Sequence, residues 1–440
     1  MRVCCRQFRS KPAALNLRQI AEYQFEQRYN EREAAACLIR VTQDRSRETG
    51  LQVTSFGPKF KLSHQRYGNL LAAIDGLLYS GGVTILENVP LAQYTTLGVG
   101  GAARWLVETG DEEEILAAVR FARARGVGCF ILGGGSNLLV SDEGFAGVVV
   151  RVAGGGLEWA EAGDGTASIT ADAGVEWDAV VRLAVEKNGA GIECLAGIPG
   201  SVGGTPVQNV GAYGQEVSQT IVRVRALDLA AEKAVDLMAA ECGFGYRRSL
   251  FNTTGRGRYA IARVEYRLAI GGAPLLEYRD VKNYFAERGV ARPTLAETAA
   301  AVREIRARKG MLLVAGDADS RSAGSFFKNP VVTVDVLARL AAIAGCRVAD
   351  VPQFPAGWGY ATEDCVVKLS AAWLIELAGF QKGFAMGRAG LSSKHVLAIV
   401  NRGGATAGEI VALRDAVIEG VRARTGVRLE QEPVLLGFAG

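Results

Sequence analysis

The chain has 440 residues, of which 49% are hydrophobic and 22% are charged, and its formal net charge is +4. These totals are ordinary for a globular protein of two or three domains, which excludes a disordered chain and a fibre. The charge is uneven, because residues 1–80 carry 13 basic against 7 acidic residues and the rest carries 37 against 39. The body is therefore not a nucleic-acid binder by charge. No stretch reaches the roughly 18 uninterrupted apolar residues of a membrane span.

Residues 1–80 contain no motif that we can assign, and they fit neither a secretory signal nor a transit peptide. We interpret them either as a lineage-specific extension or as the product of a start codon assigned too far upstream. The body of the protein is expected to begin near Val83.

The first predicted unit of regular structure follows residue 103. Its elements are a strand at 104–108, a helix from Asp111 to Gly126 with Glu114 as capping-box partner, and strands at 127–132 and 147–152. A glycine-rich segment comes directly after the second strand. The pattern indicates a β-α-β unit whose loop lies at the carboxyl end of a strand, where α/β folds bind ligands.

The remaining predicted elements mix helices and strands. They are a helix at 175–187, strands at 221–228 and 259–268, a helix from Thr294 to Lys309 with Glu297 as capping partner, a loop at 310–322, a helix at 371–378, a strand at 395–400, a helix from Thr406 with Glu409 as capping partner, and a strand at 427–436. The order predicts an α+β and α/β fold without internal repeats.

Cysteine and histidine usage argues against a metal site. The eight cysteines show no metal-ligand spacing, and the chain has only two histidines, His64 and His395. We therefore predict no bound metal, free thiols and a cytoplasmic location. His395 precedes an apolar run, and we expect it to be structural.

Two glycine-rich loops are the first functional signal. They are Gly133-Gly134-Gly135-Ser136-Asn137, the first glycine loop, and Gly197-Ile198-Pro199-Gly200-Ser201-Val202-Gly203-Gly204, the second glycine loop. Successive small residues let backbone N–H groups converge on an anion, and glycine tolerates the positive φ that this requires. Neither loop is a P-loop or a dinucleotide fingerprint. Together they favour a phosphate-bearing cofactor held from two sides.

Three later segments supply groups that could act on a substrate. They contain Arg247 in Gly-Tyr-Arg-Arg-Ser, Ser325 in Ala-Gly-Ser-Phe-Phe-Lys-Asn-Pro, and Glu430 and Glu432 in Leu-Glu-Gln-Glu-Pro. A guanidinium can hold a carboxylate with two hydrogen bonds, a hydroxyl can donate a proton, and a buried carboxylate needs a partner such as Arg247. The structural alternatives are a surface arginine, a turn serine beside two core phenylalanines, and solvated charges on an edge strand.

In this order the segments resemble the UDP-N-acetylenolpyruvoylglucosamine reductases, which are flavoenzymes of peptidoglycan precursor synthesis. The resemblance runs from about Asn88 to Gly437 and also includes Tyr94–Gly101, Gln208–Gly214 and Ser393–Asn401. It implies a two-subdomain FAD-binding module of the vanillyl-alcohol-oxidase (PCMH) type and a C-terminal α/β substrate-binding domain. The implied bounds are 81–151 with a strand from 427–437 returning to it, 152–309, and 310–426, with 1–80 unassigned.

The resemblance also implies an activity. Noncovalent FAD would take electrons from NADPH and pass hydride from flavin N5 to UDP-N-acetylglucosamine enolpyruvate, which gives UDP-N-acetylmuramate. Arg247 would hold the carboxylate, Ser325 would protonate the neighbouring carbon, and Glu432, with Glu430 as the alternative, would tune the developing charge. Tyr278, Lys309 and Asn329 would contact the UDP-sugar, and the segment at 275–278 is similar to the subclass with a tyrosine-bearing loop.

The implied cofactor-binding residues come from both glycine loops and from the segment that follows them. They are Gly133, Gly134, Gly135, Ser136, Asn137, Leu138, Gly197, Ile198, Pro199, Gly200, Ser201, Gly203, Gly204, Asn209, Gly211, Ala212 and Tyr213.

Two other functions stay open at this point. One is an FAD-dependent sugar or alcohol oxidase of the same fold, which usually needs a different base and often a tethered flavin. The other is a flavin-binding sensor without catalysis, which would have lost Arg247, Ser325 or Glu432. All three residues are present. The oligomeric state is also open, and the sequence is compatible with a monomer.

Overall fold

The computed structural model describes residues 83–355 and 365–438, together with the backbone of three strands nearer the start of the chain. The chain divides into two compact units, residues 1–76 and residues 77–440. In the first unit, β1 (Ala21–Phe25), β2 (Cys37–Gln43) and β3 (Thr49–Ser55) form an antiparallel sheet in sequence order. Most of residues 1–80, including His64, lie outside the described residues, and both interpretations of this segment stay predictions.

The second unit contains the remaining elements. Its strands are β4 (Ile85–Pro90), β5 (Ala102–Thr109), β6 (Cys129–Leu132), β7 (Leu138–Val140), β8 (Phe145–Val152), β9 (Leu157–Glu161), β10 (Thr166–Asp172), β11 (Gly189–Ala190), β12 (Gly211–Ala212), β13 (Gln215–Glu216), β14 (Ile221–Asp228), β15 (Lys233–Met238), β16 (Tyr259–Ile270), β17 (Val331–Thr333), β18 (Gln353–Pro355), β19 (Val366–Leu369), β20 (Ala385–Met386), β21 (Ala389–Leu391), β22 (Ile399–Asn401) and β23 (Val434–Leu436). Its α-helices are α1 (Glu112–Ala124), α2 (Trp177–Glu186), α3 (Arg279–Ala286), α4 (Leu295–Arg308), α5 (Val336–Ala344), α6 (Ala371–Leu377) and α7 (Ala407–Thr425). In the part of the chain that is described, none of the helices is long and apolar enough to cross a membrane.

The first sheet of this unit contains the predicted β-α-β pattern. Its strand order is β4-β5-β8-β6, and β5, β8 and β6 run parallel. Helix α1 connects β5 to β6 and buries its apolar face, as the spacing predicted. Asp111 caps α1 by accepting from the backbone N–H groups of Glu113 and Glu114. The expected capping box is only half formed, because the Glu114 carboxylate accepts a hydrogen bond from Thr109 instead.

Strand β7 follows the first glycine loop and pairs in parallel with β23. The chain therefore returns to this part of the fold near its end. The predicted strand at 427–436 is too long, because only Val434–Leu436 is a strand. Residues 430–432 instead form backbone hydrogen bonds with residues 326–328.

The second sheet is antiparallel and has six strands. Its order is β15-β14-β16-β10-β9, and β11 also pairs with β16. Helices α2 and α4 pack beside it and share one hydrophobic core with the first sheet and α1. Helix α4 has the complete capping box between Thr294 and Glu297 that the sequence predicted. The second glycine loop runs between these two helices and the cavity described below.

The C-terminal part has its own hydrophobic core around α5, α6 and α7. Two small antiparallel sheets, β17-β19-β18 and β20-β21-β22, complete it. The predicted strand at 395–400 is wrong over most of its length, because the N–H of Ala398 bonds back to the carbonyl of His395 in a turn. The strand there is Ile399–Asn401.

Two side chains join the C-terminal part to the first sheet. The Asp142 carboxylate accepts from the N–H groups of Ala407 and Gly408 at 2.7 and 2.8 Å, and so caps the N-terminus of α7. The Asn401 amide donates to the carbonyl of Leu97 at 3.0 Å. These bonds tie α7 and β22 to the loops that flank β5 and β8.

Candidate active site

A cavity of about 1130 Å³ lies where the glycine loops, the β12–β13 hairpin and the C-terminal segments meet. It exceeds the roughly 300–1,000 Å³ of a single small-ligand site. Most residues singled out from the sequence line it, namely Gly133, Gly134, Gly135, Ser136, Asn137, Leu138, Ile198, Pro199, Gly200, Ser201, Gly203, Gly204, Gly211, Ala212, Tyr213, Arg247, Tyr278, Lys309, Ser325, Asn329 and Glu432. The fold thus brings together segments that lie far apart in the sequence.

The two glycine loops touch each other along this wall. A Cβ on Gly134 would lie 2.6 Å from the Cα of Gly200, and a Cβ on Gly200 would lie 2.8 Å from the Ser136 hydroxyl. The N–H of Gly134 donates to the Ser201 hydroxyl at 3.1 Å. Gly135 has a φ of +63°, and a Cβ there would collide with the carbonyl oxygen of Tyr94. Glycine is therefore required, and the cradle is built from backbone.

Two residues predicted to bind the cofactor do not line the cavity. The N–H of Gly197 donates to Asp178 at 2.7 Å, and its carbonyl accepts from Arg306, so both groups face the helices α2 and α4. Asn209 is fully buried, and its amide nitrogen donates to Glu216 at 2.9 Å. Both residues support the wall from behind, and the predicted direct contact has no geometric support at these positions.

Arg247 lies in a tight turn closed by mutual backbone bonds between Gly245 and Arg248. Its φ is +52°, a conformation that costs a non-glycine residue about 1–3 kcal/mol. The guanidinium Nη2 donates to the carbonyl of Gly211 at 2.7 Å, and Nε lies 3.1 Å from Oε1 of Glu432. The direction of this ion pair is not that of a hydrogen bond, so the buried Nε has no hydrogen-bond partner among the described residues. The turn therefore presents a strained and incompletely bonded cation to the cavity.

The charge on Arg247 is secure. Burial opposes ionisation, but the negative charge of Glu432, with contributions from Tyr246 and Glu216, outweighs it and holds the pKa of Arg247 above its ordinary value. The side chains of Arg247 and Glu432 are 19% and 12% exposed. Solvent ions screen the charges of such a buried pair only weakly, and the guanidinium can still donate to a second carboxylate.

Ser325 is placed beside Glu432 by a short stretch of antiparallel pairing. The N–H of Glu432 donates to the carbonyl of Phe326 at 2.8 Å, and the N–H of Lys328 donates to that of Glu430 at 2.9 Å. Phe326 is fully buried, as its neighbour is, which confirms the predicted aromatic core. The Glu430 side chain is 76% exposed and lies 3.5 Å from Lys328. Of the two carboxylates, only Glu432 lines the cavity.

Of the three residues expected to contact a UDP-sugar, Tyr278 and Lys309 lie beside Tyr213 and Asn329 lies near Tyr246, and all three line the cavity. The rings of Tyr278 and Tyr213 meet edge to face with centroids 5.3 Å apart, and burial raises the pKa of Tyr213 to about 12. Lys309 forms an ion pair with Asp280. The side-chain oxygen of Asn329 accepts from the first N–H of α6 at 2.9 Å, which fixes the direction of its amide group.

Sequence inspection missed Tyr246, Glu216 and Lys368, which surround Arg247 in the cavity wall. The Lys368 ammonium lies 4.2 Å from the centroid of the Tyr246 ring, and burial lowers its pKa. The one available signal was a lone lysine in the apolar run Val366-Val367-Lys368-Leu369. Glu216 carried no signal, because only the hairpin turns it toward Arg247.

His395 lines the same cavity. Burial and the nearby positive charges of Lys309 and Lys382 lower its pKa to about 4, so the imidazole is neutral at pH 7. Within residues 83–355 and 365–438, no group of three or more His, Cys, Asp or Glu side chains is placed to hold a metal ion.

Two family models match the chain. Residues 103–237 match an FAD binding domain, and residues 317–436 match the C-terminal domain of UDP-N-acetylenolpyruvoylglucosamine reductase. The matched regions cover the first glycine loop with strands β6 and β8, and Ser325 with Glu432. They confirm the predicted fold class.

Curated relatives and a solved structure agree with the family models. UDP-N-acetylenolpyruvoylglucosamine reductase of Thermobifida fusca is 45% identical over 357 residues, which are 80% of this chain and 98% of the relative. The protein of the same name from Nocardia farcinica is 47% identical over 367 residues, or 82% and 92% of the two chains. The crystal structure of UDP-N-acetylenolpyruvylglucosamine reductase from Thermus caldophilus matches with a TM-score of 0.52 and 27% identity, over 80% of this chain and 98% of that one.

Proposed function

Because the chain belongs to the UDP-N-acetylenolpyruvoylglucosamine reductase family, we propose that it reduces UDP-N-acetylglucosamine enolpyruvate to UDP-N-acetylmuramate with NADPH as electron donor and FAD as cofactor. The observation that carries the proposal is the buried ion pair of Arg247 with Glu432, which faces the same cavity as the glycine loops and Ser325.

The residues present fit FAD. A Cβ on Gly134, Gly135 or Gly200 would collide with atoms of the neighbouring segments, so these loops keep their backbone bare, which suits close approach of backbone N–H groups to a pyrophosphate. Residues 133–138, 198–201, 203, 204 and 211–213 would hold the cofactor from two sides. Bound FAD supplies the hydride for the enolpyruvyl double bond. No histidine or cysteine lies in the first glycine loop to tether it, which supports noncovalent binding.

Arg247 binds the substrate carboxylate in this proposal. Its guanidinium lines the cavity and is held by Gly211 and Glu432, and the N–H groups of its Nη atoms that are not used on Gly211 are left for an incoming carboxylate. As negative charge grows on the carbon next to the carboxylate, the fixed cation stabilises it without rearrangement. Glu432 keeps the guanidinium charged and oriented.

Ser325 donates the proton that completes the reduction. Ser325 lines the cavity, and the backbone bonds of residues 326–328 to residues 430–432 hold its segment beside that of Glu432. The proton passes from Oγ to the carbon that bears the carboxylate, and Lys328, on the same segment, is a candidate to offset the resulting alkoxide charge. Tyr278, Lys309 and Asn329 orient the UDP-sugar.

We assign the domains as the resemblance implied. Residues 81–151 with the returning segment 427–437 form the first FAD-binding subdomain, residues 152–309 form the second, and residues 310–426 bind the substrate. The parallel pairing of β7 with β23 supports the return of the chain to the first subdomain.

Steady-state NADPH oxidation by the purified protein tests the proposal. We expect oxidation that depends strongly on UDP-N-acetylglucosamine enolpyruvate, with UDP-N-acetylmuramate as the product. NADPH oxidation by oxygen alone, unaffected by the sugar nucleotide, would contradict the proposal and favour an oxidase or a sensor.

A further inference from the structure

Asn209 lies behind the active-site wall, and both its amide nitrogen and its amide oxygen form hydrogen bonds. It is fully buried and has a φ of +45°. Its amide nitrogen donates to Oε2 of Glu216 at 2.9 Å and to the carbonyl of Gly245 at 3.0 Å, and its amide oxygen accepts from the N–H of Ser218 at 3.1 Å. A residue with its side chain committed on every side and no surface in the cavity does not serve as a ligand.

These bonds converge on Arg247. The carbonyl of Gly245 closes the turn that carries Arg247, so Asn209 fixes the backbone of that turn. The backbone carbonyl of Asn209 lies 3.5 Å from Nη1 of Arg247, and the carbonyl of Gly211 accepts from Nη2 at 2.7 Å. Asn209 therefore contacts both the turn that carries Arg247 and the guanidinium at the end of the Arg247 side chain.

The space around the guanidinium leaves little room for a different arrangement. A Cβ on Gly211 would lie 3.2 Å from Nη1 of Arg247 and 2.8 Å from Cγ of Glu216. The positive φ of Asn209 turns its carbonyl toward Arg247, and asparagine tolerates this conformation better than most residues. The orientation of the cation is thus determined by the segment 209–216 as much as by Glu432.

We propose that Asn209 is a positioning residue for Arg247, and that it sets the direction from which the guanidinium meets the substrate carboxylate. The inference rests on the proposed role of Arg247 in carboxylate binding. Replacing a residue that acts in this way weakens the binding of ligands that carry the carboxylate and leaves the binding of ligands that lack it unchanged.

Two variants remove the interaction by different routes. Asn209→Gly deletes the side chain and keeps the positive φ accessible. Asn209→Asp keeps the shape but replaces both N–H donors with an oxygen that faces Glu216 and the carbonyl of Gly245. Asn401→Ala is the matched control, because Asn401 is also buried and also bonds through both ends of its amide, but its partners are in the segments 97–98 and 403–405.

Ligand affinity gives the first measurement. Calorimetric titration with UDP-N-acetylmuramate, which has the carboxylate, is compared with UDP-N-acetylglucosamine, which lacks it. We expect both Asn209 variants to bind UDP-N-acetylmuramate about 10- to 100-fold more weakly and to keep their affinity for UDP-N-acetylglucosamine. An equal loss for both ligands would overturn the proposal, since a general disturbance of the wall does not distinguish them.

A double-mutant cycle with Arg247→Lys gives the second measurement. The rate at which substrate reoxidises the NADPH-reduced protein is measured for each single and double variant. We expect Asn209→Gly to slow this step about 10- to 100-fold alone and to add nothing in the Arg247→Lys background, while Asn401→Ala has the same effect in both backgrounds. Additive effects of Asn209 and Arg247 would overturn the inference. If Arg247→Lys left the step unchanged, the proposed function itself would fail.

Discussion

Arg247 combines two features that are costly alone, a left-handed backbone and a buried cation whose Nε has no hydrogen-bond partner among the residues that the structure describes. Strain of this kind persists only where the surroundings determine it, and here the turn of residues 245–248, the carbonyl of Gly211 and the carboxylate of Glu432 do so. The sequence indicated the residue type but not its conformation, because no pattern in Gly-Tyr-Arg-Arg-Ser specifies a positive φ at an arginine. Glu216 beside it carried no sequence signal, and the only signal for Lys368 was its place as a lone lysine in an apolar run.

Ser325→Ala tests the proton donor. Because the change removes the hydroxyl and leaves the glycine loops untouched, we expect normal reduction of the flavin by NADPH. Reoxidation by the enolpyruvyl substrate should slow by about 10²- to 10⁴-fold, the usual contribution of a positioned acid. Rapid-mixing spectroscopy separates the two steps.

The control for this variant is Ser393→Ala, because Ser393 is exposed and its hydroxyl bonds to Asp319 at 2.6 Å instead of lining the cavity. It should keep both rates. A fast second step in Ser325→Ala would remove Ser325 as the acid.

At the scale of the elements, loops and turns carry the functional groups, and helices and strands hold those loops in position. The first glycine loop is fixed at one end by β6 and at the other by β7, whose partner β23 begins two residues after Glu432. The N–H of Val434 also donates to the carbonyl of Asn137 at 3.0 Å. One loop thus determines the position of both the cofactor cradle and the carboxylate.

Gly134→Ala tests how closely the two glycine loops must approach. The added methyl group would lie 2.6–2.8 Å from backbone atoms of Gly200 and Ser201, which cannot rotate away. We expect the purified protein to contain less FAD and to rebind it about 10- to 100-fold more weakly, measured by flavin fluorescence on titration of the apoprotein.

Gly155→Ala is the matched control for this prediction. A Cβ on Gly155 meets no atom within 4 Å, so the variant should bind FAD normally. Equal FAD affinity in Gly134→Ala and Gly155→Ala would show that the loops can separate without consequence.

The helices were predicted well where capping residues mark them. Helices α1, α4 and α7 have Asp111, Thr294 and Thr406 as their N-cap residues, as the sequence indicated. These starts can be predicted because an N-cap side chain bonds locally to the first turn. Strand bounds were less accurate. The apolar run after His395 and the run before Val434 look extended in sequence, but distant segments determine which residues pair.

The described part of the second unit contains three hydrophobic clusters that consist of different residues. Residues of all three clusters line the same cavity. Asp142 and Asn401 connect the parts around it. The sequence resemblance gave the order of these parts and most of the lining residues. It could not distinguish residues in the wall from those behind it, since Gly197 and Asn209 lie in the same motifs as their cavity-lining neighbours.

The stability of the whole molecule should depend on His395. Its pKa is about 4 in the folded protein against 6.5 in an ordinary environment, so between these values the unfolded chain binds more protons. The neutral imidazole of His395 therefore adds to the free energy of unfolding above about pH 6.5, and this addition is lost as the pH falls toward 4. Burial is the main cause, Lys309 and Lys382 add to it, and Asp280 opposes it.

The measurement is urea unfolding of the FAD-saturated protein at pH 5 and pH 7.5. Relative to His395→Gln, we expect the unmodified protein to lose on the order of 1–2 kcal/mol more between the two pH values. Titration of carboxylates is common to both proteins and cancels in the comparison. Equal losses would mean that His395 is solvated or paired in the folded state.

The parallel pairing of β7 with β23 also has a kinetic consequence. Asn137 and Glu432, which this pairing brings together, are 295 residues apart in sequence. Contacts of such separation form only after most of the intervening chain has ordered, because the entropy of closing the loop must be offset first. The cofactor cradle is therefore expected to be among the last parts of the second unit to form. Free FAD would then bind a chain that is already nearly native, instead of directing the early steps of folding.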